Sequence, residues 1–318
     1  MFNQKNFKII KNKDIEINTY IDGEGPLVIM AHGWPESWYS WRHQIPAVAN
    51  AGYHAVAMDM RGYGQSDKPS NIEAYNQVEV TKDVIGLIEA LGHPSAVVFG
   101  HDWGGPTAWR CALNYPDLIR AVGVLSVPFS PRPKDPPLKR MQEIFKGLFF
   151  YQLYFQKPGI AESEWEKNIK INLRKFFFLA SGSYEGPSSV ALLSKKTDLL
   201  SDIKDPKSLG SWCSEDDLDF YTKEFERSGF RGPLNYYRNH DLTWELTAGE
   251  PSKIKQPAMF VAGEKDGVIT LARDALEKMP DFVEDLRVNE LIPGVGHWTQ
   301  QEAPDDVNRI LLNFLASL

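Results

Sequence analysis

The sequence predicts an α/β protein, a mostly parallel, doubly wound sheet interrupted by an inserted helical segment. Three observations lead there. Short apolar runs recur, PLVIMAHG (26–33), HAVAMDM (54–60), SAVVFG (95–100) and AVGVLSV (121–127), bounded by glycine and proline. Their hydrophobicity is continuous rather than alternating, as in strands buried on both faces. Amphipathic stretches separate the runs, and the rhythm breaks off near residue 128 and returns near 256.

The elements follow in order. EVTKDVIGLIEALG (79–92) reads as a helix closed by Gly92, which with its flanking runs makes a β-α-β unit. VPFSPRPKDPP (127–137) holds too many prolines for a helix interior or a central strand. From about 138 to 245 the patterns are helices and loops only, rich in aromatics: FFYQLYF, KFFFLASGS and NYYRNHDLTW. QPAMFVAGE (256–264) and LRVNELIPG (286–294) read as strands again, and DDVNRILLNFLASL as a final amphipathic helix. The expected organisation is a core in two parts, 1–130 and 248–318, around a helical cap, 131–247. No internal repeat or low-complexity tract interrupts it.

The bulk numbers narrow the function. Of 318 residues, 42% are hydrophobic and 24% charged, as in ordinary globular chains. A net charge of −7 leaves no basic stripe to neutralise phosphates, so no nucleic-acid partner is expected. Short basic clusters such as Lys195-Lys196 read as solvated helix faces. Cys111 and Cys213 lack the spacing of a disulfide framework or a zinc site and fit a reducing compartment. MFNQKNFKIIKNKD lacks a signal peptide's apolar stretch, and no run approaches the ~20 apolar residues that span a bilayer. A cytoplasmic protein without a membrane span is expected.

The chemistry centres on FGHDWGGPTAWR (99–110). Gly100 and Gly104 frame a nucleophile elbow, the sharp strand-to-helix turn G-x-S-x-G, and the central position is Asp102 instead of serine. Asp102 is already ionised at neutral pH and needs no base to activate it. Attack by a carboxylate on an acyl carbonyl gives a reactive anhydride, whereas attack on a saturated carbon bearing a good leaving group gives a stable alkyl ester. The candidate substrates are therefore strained epoxides and alkyl halides. Hydrolysis of that ester needs a base and an oxyanion hole. His297, in GVGHW after the last strand, stands where the order nucleophile, acid, histidine requires it. His101 reads as structural, and His32, His43, His54, His93 and His240 as packing or surface residues. In AGEKDGV, Asp266 rather than Glu264 is the acid expected to orient His297. The oxyanion donors are the N–H groups of Trp103 and of Trp34 in HGWP (32–35). Phenols suit a leaving epoxide oxygen, and Tyr151, Tyr154, Tyr236 and Tyr237 are candidates, although the residues alone favour packing in a helical lid.

GHDWGG, HGWPESWYSW, DMRGYGQSDKP, YQLYFQKPG, GFRGPLNYYRN and GVGHW together resemble the soluble epoxide hydrolases of the α/β-hydrolase superfamily over nearly the whole chain. The resemblance implies the α/β-hydrolase fold with a helical cap. It further implies that Tyr151 and Tyr237 hold the epoxide oxygen, with Tyr154 and Tyr236 left as packing residues. An epoxide is then the expected small-molecule partner, no metal or organic cofactor is expected, and a homodimer through the cap is in keeping with the family. The phosphatase domain of the two-domain relatives has no counterpart here, so neither its activity nor its magnesium site is carried over. Phe129, Phe149, Phe150, Phe155 and Trp298 are expected as pocket lining. A haloalkane dehalogenase using Asp102, His297 and Asp266, and a non-catalytic ligand sensor on the same fold, remain as alternatives. Trp34, where dehalogenases typically carry Asn, favours the epoxide.

Overall fold

The computed structural model describes residues 2–186, 191–192 and 198–318. Lys195 and Lys196 lie outside the described residues. The strands of the main sheet are β1 (Phe7–Asn12), β2 (Ile15–Asp22), β3 (Leu27–Ala31), β4 (His54–Met58), β5 (Ala96–His101) and β6 (Ile119–Leu125). A two-stranded pair, β7 (Phe149–Phe150) and β8 (Ala191–Leu192), stands apart from it, and β9 (Ile254–Gly263) and β10 (Val283–Ile292) complete it. The order across the sheet is β1-β2-β4-β3-β5-β6-β9-β10. β2 pairs antiparallel with both β1 and β4, and every pairing from β4 to β10 is parallel.

Continuous hydrophobicity in the central strands has the reason expected of it. Ile29, Val98, Val122 and Phe260 belong to one buried cluster, while their neighbours Val28, Val97, Ala121 and Met259 belong to another on the opposite face. Both faces of a doubly wound sheet are covered by helices, so each residue of such a strand is buried. The helices between β3 and β6 include α1 (Gln44–Asn50), α2 (Gln77–Ala90) and α3 (Gly104–Asn114). α2 starts two residues earlier than its apolar pattern suggests, because the Asn76 side chain accepts from the N–H groups of Val78 and Glu79. The last helix, Pro304–Ala316, opens on proline, which lacks the N–H that a first helical position would leave unbonded.

Two features depart from the sequence reading. The β1–β2 hairpin was not anticipated, since FKIIKN and IEINTYID mix charged with apolar residues at the sheet edge. The segment from 138 to 245, expected to be helices and loops alone, also contains β7 and β8, each too short to leave a periodic signal. Its helices nevertheless dominate and lie over the C-terminal ends of the parallel strands. Tyr236 Oη donates to the Arg61 carbonyl at 2.9 Å, and the His297 N–H donates to the Ala180 carbonyl at 2.8 Å. No helix among the described residues is long and apolar enough to cross a membrane.

Candidate active site

β5 ends at His101 and α3 begins at Gly104, and Asp102 is the corner between them. Its φ of 49° is left-handed, a conformation that costs a non-glycine residue on the order of 1 kcal/mol or more. That backbone lifts the carboxylate clear of the sheet and sets it at the N-terminal end of α3, where the helix dipole favours an anion. Two glycines make the corner sterically feasible. A Cβ at Gly100 would lie 2.0 Å from the Gly104 carbonyl oxygen, and one at Gly33 would lie 2.3 Å from Asp102 Oδ1. The bare Cα of Gly33 lets the following residue approach, and the Trp34 N–H donates to Asp102 Oδ1 at 2.6 Å.

On the other side stands His297, with Nε2 3.6 Å from Asp102 Oδ2. Its Nδ1 lies 3.1 Å from both carboxylate oxygens of Asp266, which fixes the ring's orientation. Asp266 follows β9 and caps the next helical turn by accepting from the Val268 N–H at 2.8 Å. Burial pushes the Asp266 carboxyl up, but His297 and the Val268 N–H outweigh that and leave it below its ordinary value. Burial alone would lower His297, yet the charges of Asp266 and Asp102 hold it well above the usual histidine value. The three groups form a charge-coupled row in which the imidazole bridges two carboxylates.

A cavity opens over Asp102 in two arms. The wider, about 270 Å³, and the narrower, about 30 Å³, share Asp102, Tyr151, Tyr237 and Val268 in their walls. The ring centres of Tyr151 and Tyr237 are 5.8 Å apart. Burial raises both phenols, so each stays protonated and able to donate. The Gln152 amide donates to Tyr151 Oη at 2.8 Å, which occupies a lone pair and leaves the phenolic proton for another acceptor.

The comparisons with known proteins bear on this arrangement. The alpha/beta hydrolase fold family matches residues 26–304. Epoxide hydrolase A of Mycobacterium tuberculosis is 40% identical over 315 residues, covering 98% of this chain and 97% of the relative. The chain belongs to the epoxide hydrolases of the α/β-hydrolase fold. An epoxide hydrolase from an endophytic Streptomyces superposes with a TM-score of 0.94 at 41% identity, covering 98% of this chain and 95% of that one. Bifunctional epoxide hydrolase 2 of Mus musculus is 40% identical over 295 residues, and this chain spans 52% of its length.

Within this epoxide hydrolase fold, Asp102, Asp266, His297, Trp34, Trp103, Tyr151 and Tyr237 all reach the walls of the two arms. Phe129 and Trp298, expected to line the pocket, do not. Phe129 packs edge-on against Trp109, 5.6 Å between ring centres, beneath α3. Trp298 is wholly buried, its indole N–H donating to the Phe177 carbonyl at 2.7 Å while its ring packs edge-on against His297. Phe149, Phe150 and Phe155 also stand back from both arms. Phe155 braces Tyr237 at 5.0 Å, and Phe150 stacks on Phe145 at 3.9 Å. Tyr154 donates to Glu164 at 2.9 Å, and the Tyr236 hydroxyl is the one bound to Arg61.

Several residues went unread in the sequence. Glu36, just after HGWP, accepts from the Gly33 N–H at 3.0 Å and from the side-chain amides of Gln300 and Gln301 at 3.1 and 3.0 Å. Its Oε2 also lies 2.7 Å from His101 Nδ1, and His101 Nε2 donates to the His297 carbonyl at 2.8 Å. Burial favours a neutral Glu36, but His101 and the Gly33 N–H outweigh it and hold the carboxyl low. A buried Glu36–His101 link therefore ties the Gly33 turn to the His297 loop. Adjacency to HGWP was the only signal for it. Gln77 and Gln152 also line the wider arm, with no local pattern to mark them, and so does His240, which the sequence reads as a packing or surface residue.

Proposed function

We propose that this chain hydrolyses an epoxide to a vicinal diol through an alkyl ester on Asp102. The observation that carries the proposal is one cavity that presents an ionised carboxylate, an imidazole held by a second carboxylate, and two protonated phenols. Tyr151 and Tyr237 donate to the epoxide oxygen while an Asp102 oxygen attacks a ring carbon. The carbon–oxygen bond breaks, and the leaving oxygen takes a proton from a phenol. The products of that step are a neutral ester and a tyrosinate. His297, oriented by Asp266, next removes a proton from water, and the hydroxide adds to the Asp102 carboxyl carbon. The N–H groups of Trp34 and Trp103 hold the resulting oxyanion. Collapse frees the diol and the carboxylate, and the proton on His297 returns to the tyrosinate. The aromatic side chains around Asp102 (Trp34, Trp103, Tyr151 and Tyr237) suit an apolar body beside the epoxide ring. The relatives named above are epoxide hydrolases, so neither a dehalogenase nor a sensor is favoured.

The deciding experiment uses His297→Gln, which keeps a hydrogen-bonding side chain but no base. Intact-protein mass spectrometry after mixing with styrene oxide should give an adduct of the epoxide's mass on the peptide containing Asp102. The wild type should give diol and little adduct. Diol release at the wild-type rate from His297→Gln, with no adduct, would refute the scheme. We also infer a cytoplasmic location, supported by the unpaired, buried Cys111 and Cys213, and a dimer through the cap, supported by exposed apolar side chains there.

A further inference from the structure

The wider arm is not uniformly apolar. Beyond Trp103 and Tyr237 its wall carries Gln77, the first residue of α2, and His240, the first residue of the helix His240–Leu246. Gln77 is buried and pinned at both ends. Its N–H donates to Thr243 Oγ1 at 3.1 Å, and its Oε1 accepts from the Thr107 hydroxyl at 2.9 Å. Its Nε2 is nevertheless buried without a partner among the described residues, and the same is true of His240 Nε2. The His240 ring centre is 5.4 Å from that of Trp103 and 6.3 Å from that of Tyr237. Burial lowers this imidazole to about 4, so at neutral pH it is uncharged and carries one donor and one acceptor nitrogen. Two residues on one cavity wall that each carry a side-chain nitrogen without a partner among the described residues are unusual in a folded interior and call for a ligand atom. The cations on the same wall are already engaged. Arg110 pairs with Glu250, and Arg132 donates to the Trp244 carbonyl at 2.8 Å while stacking 4.0 Å over its ring. The two unpartnered nitrogens, one of an amide and one of an imidazole, are themselves neutral.

We propose that Gln77 and His240 form a polar subsite for a hydroxyl on the substrate's chain, so that the preferred epoxides are oxygenated rather than plain hydrocarbons. A hydroxyl oxygen accepts from Gln77 Nε2 and donates its proton to His240 Nε2, meeting both groups at once. The Tyr237 and His240 ring centres are 6.3 Å apart, a span of about four to five bonds at about 1.5 Å per bond, and that span sets the chain length of the probe. The inference rests on the proposed reaction, because it takes the epoxide ring to lie between Asp102 and the two tyrosines.

The test compares two straight-chain terminal epoxides, one plain and one with a hydroxyl about five bonds from the ring. The wild type should favour the hydroxylated probe in kcat/KM by on the order of tenfold. Gln77→Met and His240→Phe should each erase most of that preference, and His240→Gln should retain part of it. Calorimetric binding of the two corresponding product diols should give the same order of preference without turnover. Diol formation from both probes with no preference in the wild type, or a preference unchanged in Gln77→Met and His240→Phe, overturns the subsite and leaves the epoxide reaction standing. No diol from either probe counts against the reaction itself and removes the footing of the subsite with it.

Discussion

Asp102 passes through two charge states in the proposed cycle, an anion before attack and a neutral ester after it, and His297 feels the difference. The imidazole is raised by Asp266 and by Asp102 together, against the lowering effect of burial. Removing the Asp102 charge deletes one raising influence, so the histidine must titrate lower in the ester than in the free protein. That shift favours the neutral imidazole in the step that requires a base. Asp102→Asn mimics that state. Its His297 should titrate below the wild type, the direction expected for loss of an opposite charge a few ångströms away. Histidine-ring NMR across pH reads the midpoint directly, and identical midpoints would mean that the two groups are not coupled. Asp102, Asp266 and His297 were legible at this scale because an elbow and a strand-end order specify them. The roles of Gln152 and His240 were not, because which wall a helical side chain faces depends on its neighbours.

The strands β3 to β6 and β9 were legible as elements because burial on both faces writes a nearly unbroken apolar run, whereas β10 is an edge strand that mixes charged with apolar residues. The hairpin of β1 and β2 was not legible, since an edge tolerates charge. The cap helix Glu215–Ser228 carries the clearest energetic consequence. Its Glu224 is buried against the core, with Oε2 lacking a partner among the described residues. Burial and Asp59 raise its carboxyl to about 7, and the pairing with Arg227 only partly offsets them. A carboxyl whose folded value lies above its unfolded one favours the protonated native state. Its stabilising effect is therefore full below about pH 4.5 and lost as pH rises toward 7. Glu224→Gln keeps the shape without the charge. At pH 8 the variant should be more stable than the wild type by about 1–3 kcal/mol, and at pH 5 the gap should narrow sharply. Urea unfolding at the two pH values measures it, and a pH-independent difference would rule out the titration.

Cap and core enclose the cavity between them, and neither holds the whole reacting set. Arg42 illustrates the connection: its guanidinium donates to Gln301 Oε1 at 2.6 Å and to the Trp212 carbonyl at 2.8 Å, and it lies 3.3 Å from Asp217. On the outside of the cap, Ile144 is 58% exposed and Leu148 43%. These neighbouring apolar side chains are where the proposed cap dimer would make contact. If the chain dimerises through the cap, Ile144→Glu combined with Leu148→Glu should give a monomer in sedimentation equilibrium while the wild type sediments as a dimer. A wild-type monomer at micromolar concentration would dismiss that interface.

That Asp102, His297 and Asp266 meet in one site could be read without coordinates because each sits at a fixed place in a strand–turn–helix pattern, and local sequence encodes such turns. The resemblance named Tyr151 and Tyr237, but the tertiary structure alone brings them over Asp102, since they come from a segment distant in sequence. It alone also turns Phe129 under α3, buries Trp298 behind His297, and aims Gln77 and His240 into the wider arm. Hydrophobic period tells which residues leave water. Which of them face a cavity, and which face one another, depends on contacts between elements far apart in the chain.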